Sequence, residues 1–399
     1  MPKIPLSPPF RDTDDTARKS GLSEAYDCVF DQVEDGFAAS KRPGLWAWWK
    51  ADVLPGIGCD GTYWWGNKRL FLSIIEGRGY AFSRPDAEPV EFTSSLVRFH
   101  IGQPVSFATN GHWLLACNGG PIIAWDGVNT AVMLQEPRHA DSVDFTNSVF
   151  VANEQGTNNV RFTVPLLETE TTQPEFLPYS FTPDANPDRL LSVRCGWSET
   201  LLFGPKSVEP WTYSGTSETS PFQRLSGAYI ERGLGAVNTV VKFNNMWWWL
   251  DHEGKFVTSN GRSVQVVSSP FDKALRDLVR FDDAYAFVAH RRFIVICFPS
   301  SDQTFVYDGY NQGWSKWSWW NVDLNQRERF LGACAEFVPE WNAQMVGLRR
   351  EGRVAIMHQN LVTDLYGPIR FQLTTSHLDF GTLKRKQSSE LLLRLKRGF

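Results

Sequence analysis

Trp197-Ser198-Glu199-Thr200-Leu201-Leu202-Phe203-Gly204-Pro205-Lys206-Ser207-Val208-Glu209-Pro210-Trp211 reads as an apolar strand, a Gly-Pro turn and a second strand. Asn245-Met246-Trp247-Trp248-Trp249-Leu250-Asp251-His252-Glu253-Gly254-Lys255-Phe256-Val257 repeats that arrangement around an Asp-His-Glu-Gly turn. The unit recurs along the chain. Copies run from Tyr63 to Phe71, His112 to Gly127, Ser148 to Phe162, Arg292 to Asp308 and Gln344 to Met357. That makes roughly seven hairpins at intervals of about 35 to 50 residues, the range of four-stranded propeller blades. One copy ends Trp125-Asp126-Gly127 and another Tyr307-Asp308-Gly309, at the same place in the unit. The expected fold is an all-β propeller of about six to eight blades, seven being the best count, with added platform strands near the C-terminus. A stack of β-sandwiches is the competing architecture, because it too has short strands at regular spacing.

The expected organisation is an arm and first strand over residues 1–45, a propeller over 46–360, and a closing or partner-contacting β segment over 361–399. The arm is rich in Pro, Asp and Ser, and Tyr26-Asp27-Cys28-Val29-Phe30 is its strand candidate. Pro270 to Leu278 is the one helix candidate, with Ser269 as a cap. Ile369 to Leu373 and Ser389 to Leu395 read as strands. Lys384, Arg385, Lys386, Arg394, Lys396 and Arg397 make that end locally basic, which fits either a solvated rim or a contact for an acidic partner or DNA backbone.

Composition narrows the class. The 399 residues are 42% hydrophobic and 21% charged, which suits a packed globular protein and excludes a disordered one. Seventeen Trp and 28 Phe favour strands. Side chains of Trp48-Trp49, Trp64-Trp65, Trp247-Trp248-Trp249 and Trp319-Trp320 should alternate between the two faces of a strand, so these strands should be covered on both faces. A net charge of −4 gives no basic footprint for gripping nucleic acid. Cys28, Cys59, Cys117, Cys195, Cys297 and Cys334 form no C-x-x-C and read as buried apolar residues in a reducing compartment. No signal-peptide core and no run of transmembrane length is present, so folding in a cytoplasm without membrane insertion is expected.

No common catalytic signature appears: no G-x-S-x-G, H-E-x-x-H or P-loop. The seven His residues are scattered, and His252 belongs to a turn rather than a metal corner. Asp60, Asp126, Asp251 and Asp308 are the carboxylates a propeller could bring together for glycoside hydrolysis, yet Asp near a turn is expected on backbone grounds alone. The expectation is no enzyme, no cofactor and no metal. A carbohydrate-binding or carbohydrate-active propeller, such as a receptor-binding tail component, is the alternative.

Three segments together resemble a known family. They are Lys206-Ser207-Val208-Glu209-Pro210-Trp211-Thr212-Tyr213-Ser214-Gly215, Pro221-Phe222-Gln223-Arg224-Leu225-Ser226-Gly227-Ala228-Tyr229-Ile230-Glu231-Arg232-Gly233, and Trp248-Trp249-Leu250. They are similar to the packaged-DNA stabilisation proteins, or tail hub (nozzle) proteins, of short-tailed bacteriophages. Arg42-Pro43-Gly44-Leu45 resembles that family's N-terminal R-P-G-L. Tyr307-Asp308 with Trp314 resembles a later blade, and Asp379-Phe380-Gly381 with Lys384 to Lys386 its C-terminal segment. Tyr80 to Thr109 matches nothing in that pattern.

The resemblance implies a structural protein of the virion tail: a propeller assembled as a homohexamer below the portal and its adaptor ring, extending the DNA channel. Its implied partners are that adaptor ring, a tail needle or plug, tail fibres or spikes, and genomic DNA that passes without tight binding. It would hold the genome until ejection. No catalytic residues are implied.

Overall fold

The computed structural model describes residues 22–33, 36–166, 171–184, 188–217, 219–268 and 271–375. Seven four-stranded antiparallel units follow one another round a closed ring. Blades one to six begin with Cys59–Trp65, Ser106–Thr109, Ala140–Thr146, Ser192–Gly196, Val241–Phe243 and Tyr285–Ala289. Blade seven begins with Gly332–Val338 and continues through Ala343–Leu348 and Arg353–His358. Its fourth strand, Gly44–Lys50, comes from the other end of the chain and pairs antiparallel with Arg353–His358. The ring is thus closed by hydrogen bonds between the two ends of the propeller sequence.

The cores lie between blades, which fixes the count. Leu202, Trp211 and Phe222 of blade four pack with Val151, Val160 and Phe162 of blade three. Met345 and Val354 of blade seven pack with Phe71, Ile75 and Phe82 of blade one. An equivalent cluster fills each of the other five junctions. Blade strands are therefore covered on both faces, and the middle ones read as continuous apolar runs such as Phe293–Phe298, buried along its whole length.

Each hairpin seen in the sequence is the middle pair of one blade. Phe293–Phe298 pairs with Gln303–Asp308, for example, and Glu199–Phe203 with Val208–Tyr213. The copy starting at Tyr63 is the exception: Cys59–Trp65 and Leu70–Ile75 are the first and second strands of blade one, joined through a 3₁₀ turn at Gly66–Lys68.

Tandem tryptophans alternate where the ladder is regular. Trp247 and Trp249 join the core toward blade four, while Trp248 joins the one toward blade six. Trp65 faces blade two and Trp64 faces blade seven. Trp48 and Trp49 break the rule and pack into the same junction. A register shift explains it, since Val354 pairs with Trp49 and Ala355 with Ala47, leaving Trp48 as the extra residue of a bulge.

The strand candidate at Tyr26 to Phe30 is two strands. Leu22–Tyr26 and Cys28–Val33 are separated by Asp27, whose φ of 56° turns the chain. Leu22–Tyr26 extends blade six beside Gly313–Lys316, and Gln372–Thr375 extends it once more. Cys28–Val33 forms a separate hairpin with Gly36–Lys41. The helix is one short turn, Asp272–Arg276, between blades five and six; its proposed cap, Ser269, lies outside the described residues.

Candidate functional site

Arg42 stands where the two ends of the chain meet, and it is completely buried. Its Nε donates to Asp27 Oδ1 at 2.8 Å, and its two terminal nitrogens form a fork on the Asp364 carboxylate. The remaining donors reach the carbonyls of Pro43 at 3.0 Å and Ser318 at 2.6 Å. The guanidinium lies over the Phe330 ring, 4.9 Å from its centre. Burial alone would lower the Arg42 pKa, but Asp364 and Asp27 outweigh it and hold the cation.

Asp27 in turn accepts from the Ser318 backbone at 2.7 Å and from Arg327 at 2.8 Å. One arginine therefore joins the N-terminal turn, the start of the closing strand, the exit from blade six and the segment after blade seven. Gly44 follows because a Cβ there would meet the Thr363 carbonyl at 2.4 Å. Leu45 then enters the core between blades six and seven.

The second group of motif residues ties blade four to its neighbours, blades three and five. Trp211 packs on Phe181 at 5.1 Å, and the buried Glu209 accepts from the Asp184 backbone at 3.1 Å. Residues 225–240 then cross between the blades. Gly227 turns with a φ of 76°, and Ile230 bridges to Val208. Glu231 is exposed. Arg232 Nη1 donates to Asp251 and Glu253 at 2.6 Å each, so Asp251, 0% exposed, is a buried ion-pair acceptor. Gly233 lies flat on the blade-four turn, where a Cβ would come 2.3 Å from the Lys206 nitrogen. Trp249 of blade five donates to the Gly233 carbonyl at 3.3 Å and meets Phe203 of blade four edge-on.

The third group secures blade six. Tyr307 packs on Trp248 of blade five at 5.0 Å, and Trp314 donates to the Val267 carbonyl at 3.2 Å. Asp308 receives Arg292 through both oxygens, at 2.9 and 2.7 Å, and Asn311 at 2.9 Å. Arg292 and Asn311 both reach the Phe30 carbonyl, which pins the N-terminal hairpin to this blade. Asp379, Phe380, Gly381 and the basic residues after them lie outside the described residues.

The first strands of neighbouring blades abut around most of the ring and surround its axis. Tyr63 of blade one stacks on Phe107 of blade two at 5.2 Å. Arg194 of blade four reaches past blade three to the Ser106 hydroxyl of blade two, at 2.8 Å. Asp144 of blade three accepts from the Cys195 backbone at 2.7 Å. Burial raises the Asp144 pKa, against that hydrogen bond and Arg194. Glu336, on the first strand of blade seven, is pushed up to about 7 by burial, which the Phe337 backbone and Arg291 only partly offset. The inner strands therefore carry both signs of charge and are tied to one another through side chains. None of these inner-strand residues carries a sequence signal, because their association depends on ring closure.

The four carboxylates considered for glycoside chemistry are held in four different blades. Asp60 sits within the first strand of blade one rather than at a turn; it accepts from the Gly102 backbone and is pushed up to about 7 by burial. Asp126 caps its own turn through the backbone of Val128 and Asn129. Asp251 and Asp308 are taken by arginines. Among the described residues no group of three or more His, Cys, Asp or Glu is placed to hold a metal ion, and no helix is long and apolar enough to cross a membrane. Trp46, at 64%, is the one tryptophan there that is mainly open to solvent.

Fold and motif positions together define a seven-bladed propeller whose distinctive residues interlock its blades. A family model described as "Bacteriophage P22 Gp10, beta-propeller" matches residues 94–362, and the chain belongs to that family. It is accordingly a phage structural protein of packaged-DNA stabilisation and part of the virion. No curated protein matches the chain in sequence.

Solved structures share the fold alone. A catalytically inactive virginiamycin B lyase from Staphylococcus aureus with quinupristin is 10% identical, with a TM-score of 0.52 over 79% of this chain and 99% of that one. The β-propeller domain of Myceliophteria thermophila Cps50 (Swd1) is 10% identical, with a TM-score of 0.48 over 79% and 99%.

Proposed function

We propose that the protein is a ring-forming tail hub or nozzle, a homohexamer that extends the DNA channel below the portal-adaptor ring. It retains the packaged genome and conducts it at ejection. The observation that carries this reading is the close approach of the inner strands, which contact their neighbours around most of the ring. A hydrogen bond from Arg194 to Ser106 further ties blade four to blade two. A ring of seven inner strands this close leaves little room at its axis for a duplex whose major groove alone is about 12 Å wide. A propeller that conducts DNA must therefore line a larger channel built from several copies.

The net charge of −4 supports passage without tight binding, because each phosphate contact adds salt-dependent affinity and drag. The role is structural, without catalysis. Its place is the virion tail after assembly in the host cytoplasm, with the adaptor ring above and the needle, fibre or spike proteins as further neighbours. Electron cryomicroscopy of the intact particle tests the placement. Density for this propeller in a ring directly beneath the adaptor is expected; density elsewhere on the particle contradicts it.

A further inference from the structure

The junction between blades seven and one holds two free thiols that no role above uses. Cys59 begins the first strand of blade one, and Cys334 lies near the start of the first strand of blade seven. They are 275 residues apart in sequence, yet their sulfurs are 3.6 Å apart. Both strands carry a register shift at this point, between Cys59 and Gly61 and between Gly332 and Cys334. Such bulges re-aim side chains.

Gly347 pairs with Cys334 on the adjoining strand, and a Cβ there would stand 2.5 Å from each sulfur. The site thus has room for two sulfurs only because that neighbour has no side chain. Ser73 Oγ lies 3.3 Å from the Cys59 sulfur. Cys59 is buried, while Cys334 keeps partial exposure.

We propose that Cys59 and Cys334 form a dithiol modification site whose co-substrate is a small disulfide, and that its oxidation bolts the first blade to the last. The Cys334 thiolate attacks one sulfur of oxidised glutathione and releases the first glutathione thiolate. The Cys59 thiolate then attacks the Cys334 sulfur of this mixed disulfide and releases the second. One sulfur–sulfur bond forms in the protein as one breaks in the reagent. Two electrons leave the protein, and its two thiol protons end on the two glutathiones. In a reducing cytoplasm the site stays open, and the ring can fold and close freely. In an oxidising medium the bond encloses most of the propeller sequence, a large loop whose cross-linking restricts the unfolded chain. This chemistry does not depend on the nozzle reading.

The test uses the reduced full-length chain with oxidised glutathione. The free-thiol count in denaturant should fall from six to four, peptide mapping without reductant should show a Cys59–Cys334 link, and the midpoint of thermal unfolding should rise by roughly 5 °C. Reductant should reverse all three changes. Cys334→Ser should leave its remaining five thiols free and its melting temperature unchanged by the reagent. An unchanged count of six in the unaltered chain overturns the proposal, and so does a link that joins other cysteines or separate chains.

Discussion

Arg42, completely buried, is tied to two carboxylates and two carbonyls, so removing it takes the guanidinium from Asp364 in the interior and leaves Asp27 to Arg327 and Ser318. Arg42→Ala should cost about 3–5 kcal/mol in urea unfolding, the range for breaking one side of a buried ion pair. Arg42→Lys should recover only part of that, because an ammonium cannot supply the planar fork. Gly233→Ala should be nearly as damaging as many core truncations, about 2–4 kcal/mol, since the added methyl meets backbone rather than a movable side chain. Glu336 gives a pH signature of definite sign. Its folded pKa of about 7 lies above the ordinary 4.5, so folding takes up a proton between those values. Stability contributed by the protonated form is present below about pH 4.5 and is lost as pH rises through about 7. Glu336→Gln should therefore raise the melting temperature at pH 8 and leave it unchanged at pH 4. A shift at both pH values would place the effect elsewhere.

At the scale of elements, the ring depends on one borrowed strand. Gly44–Lys50 supplies the fourth strand of blade seven, so a chain beginning at Ala51 leaves Arg353–His358 with an open edge and Leu45 absent from its core. That truncation should abolish a single cooperative unfolding transition, which circular dichroism during heating would record. The middle strands of most blades were legible in sequence because they are buried on both faces and lie between turn residues. First and last strands were less so. Val90–Glu91 and Val132–Met133 are two residues long and exposed, with no apolar period to read. The motif residues were legible only through the family resemblance. Arg42 carries no sign of its burial, since Asp364 lies 322 positions away. Asp27 did leave a trace, a charge in the middle of an apolar strand candidate, and it is the point where that strand breaks. The Cys59–Cys334 pair was invisible for the same reason as the inner-strand residues: ring closure brings them together.

At the scale of the molecule, the closely packed inner strands and the net charge of −4 lead to one physical expectation. Duplex DNA should bind weakly, with an affinity that changes little between 50 and roughly 200 mM salt, because few phosphates are neutralised. A steep salt dependence in a filter or fluorescence assay would indicate a gripping surface instead. Enclosing a duplex therefore takes more than one copy of this propeller. The measurement that bears on it most directly is the mass of the purified full-length chain in solution, taken together with electron micrographs of the same sample, alone and with its adaptor ring. Six-fold rings with a central opening wide enough for a duplex are the predicted result. A compact monomer in both samples would contradict the account.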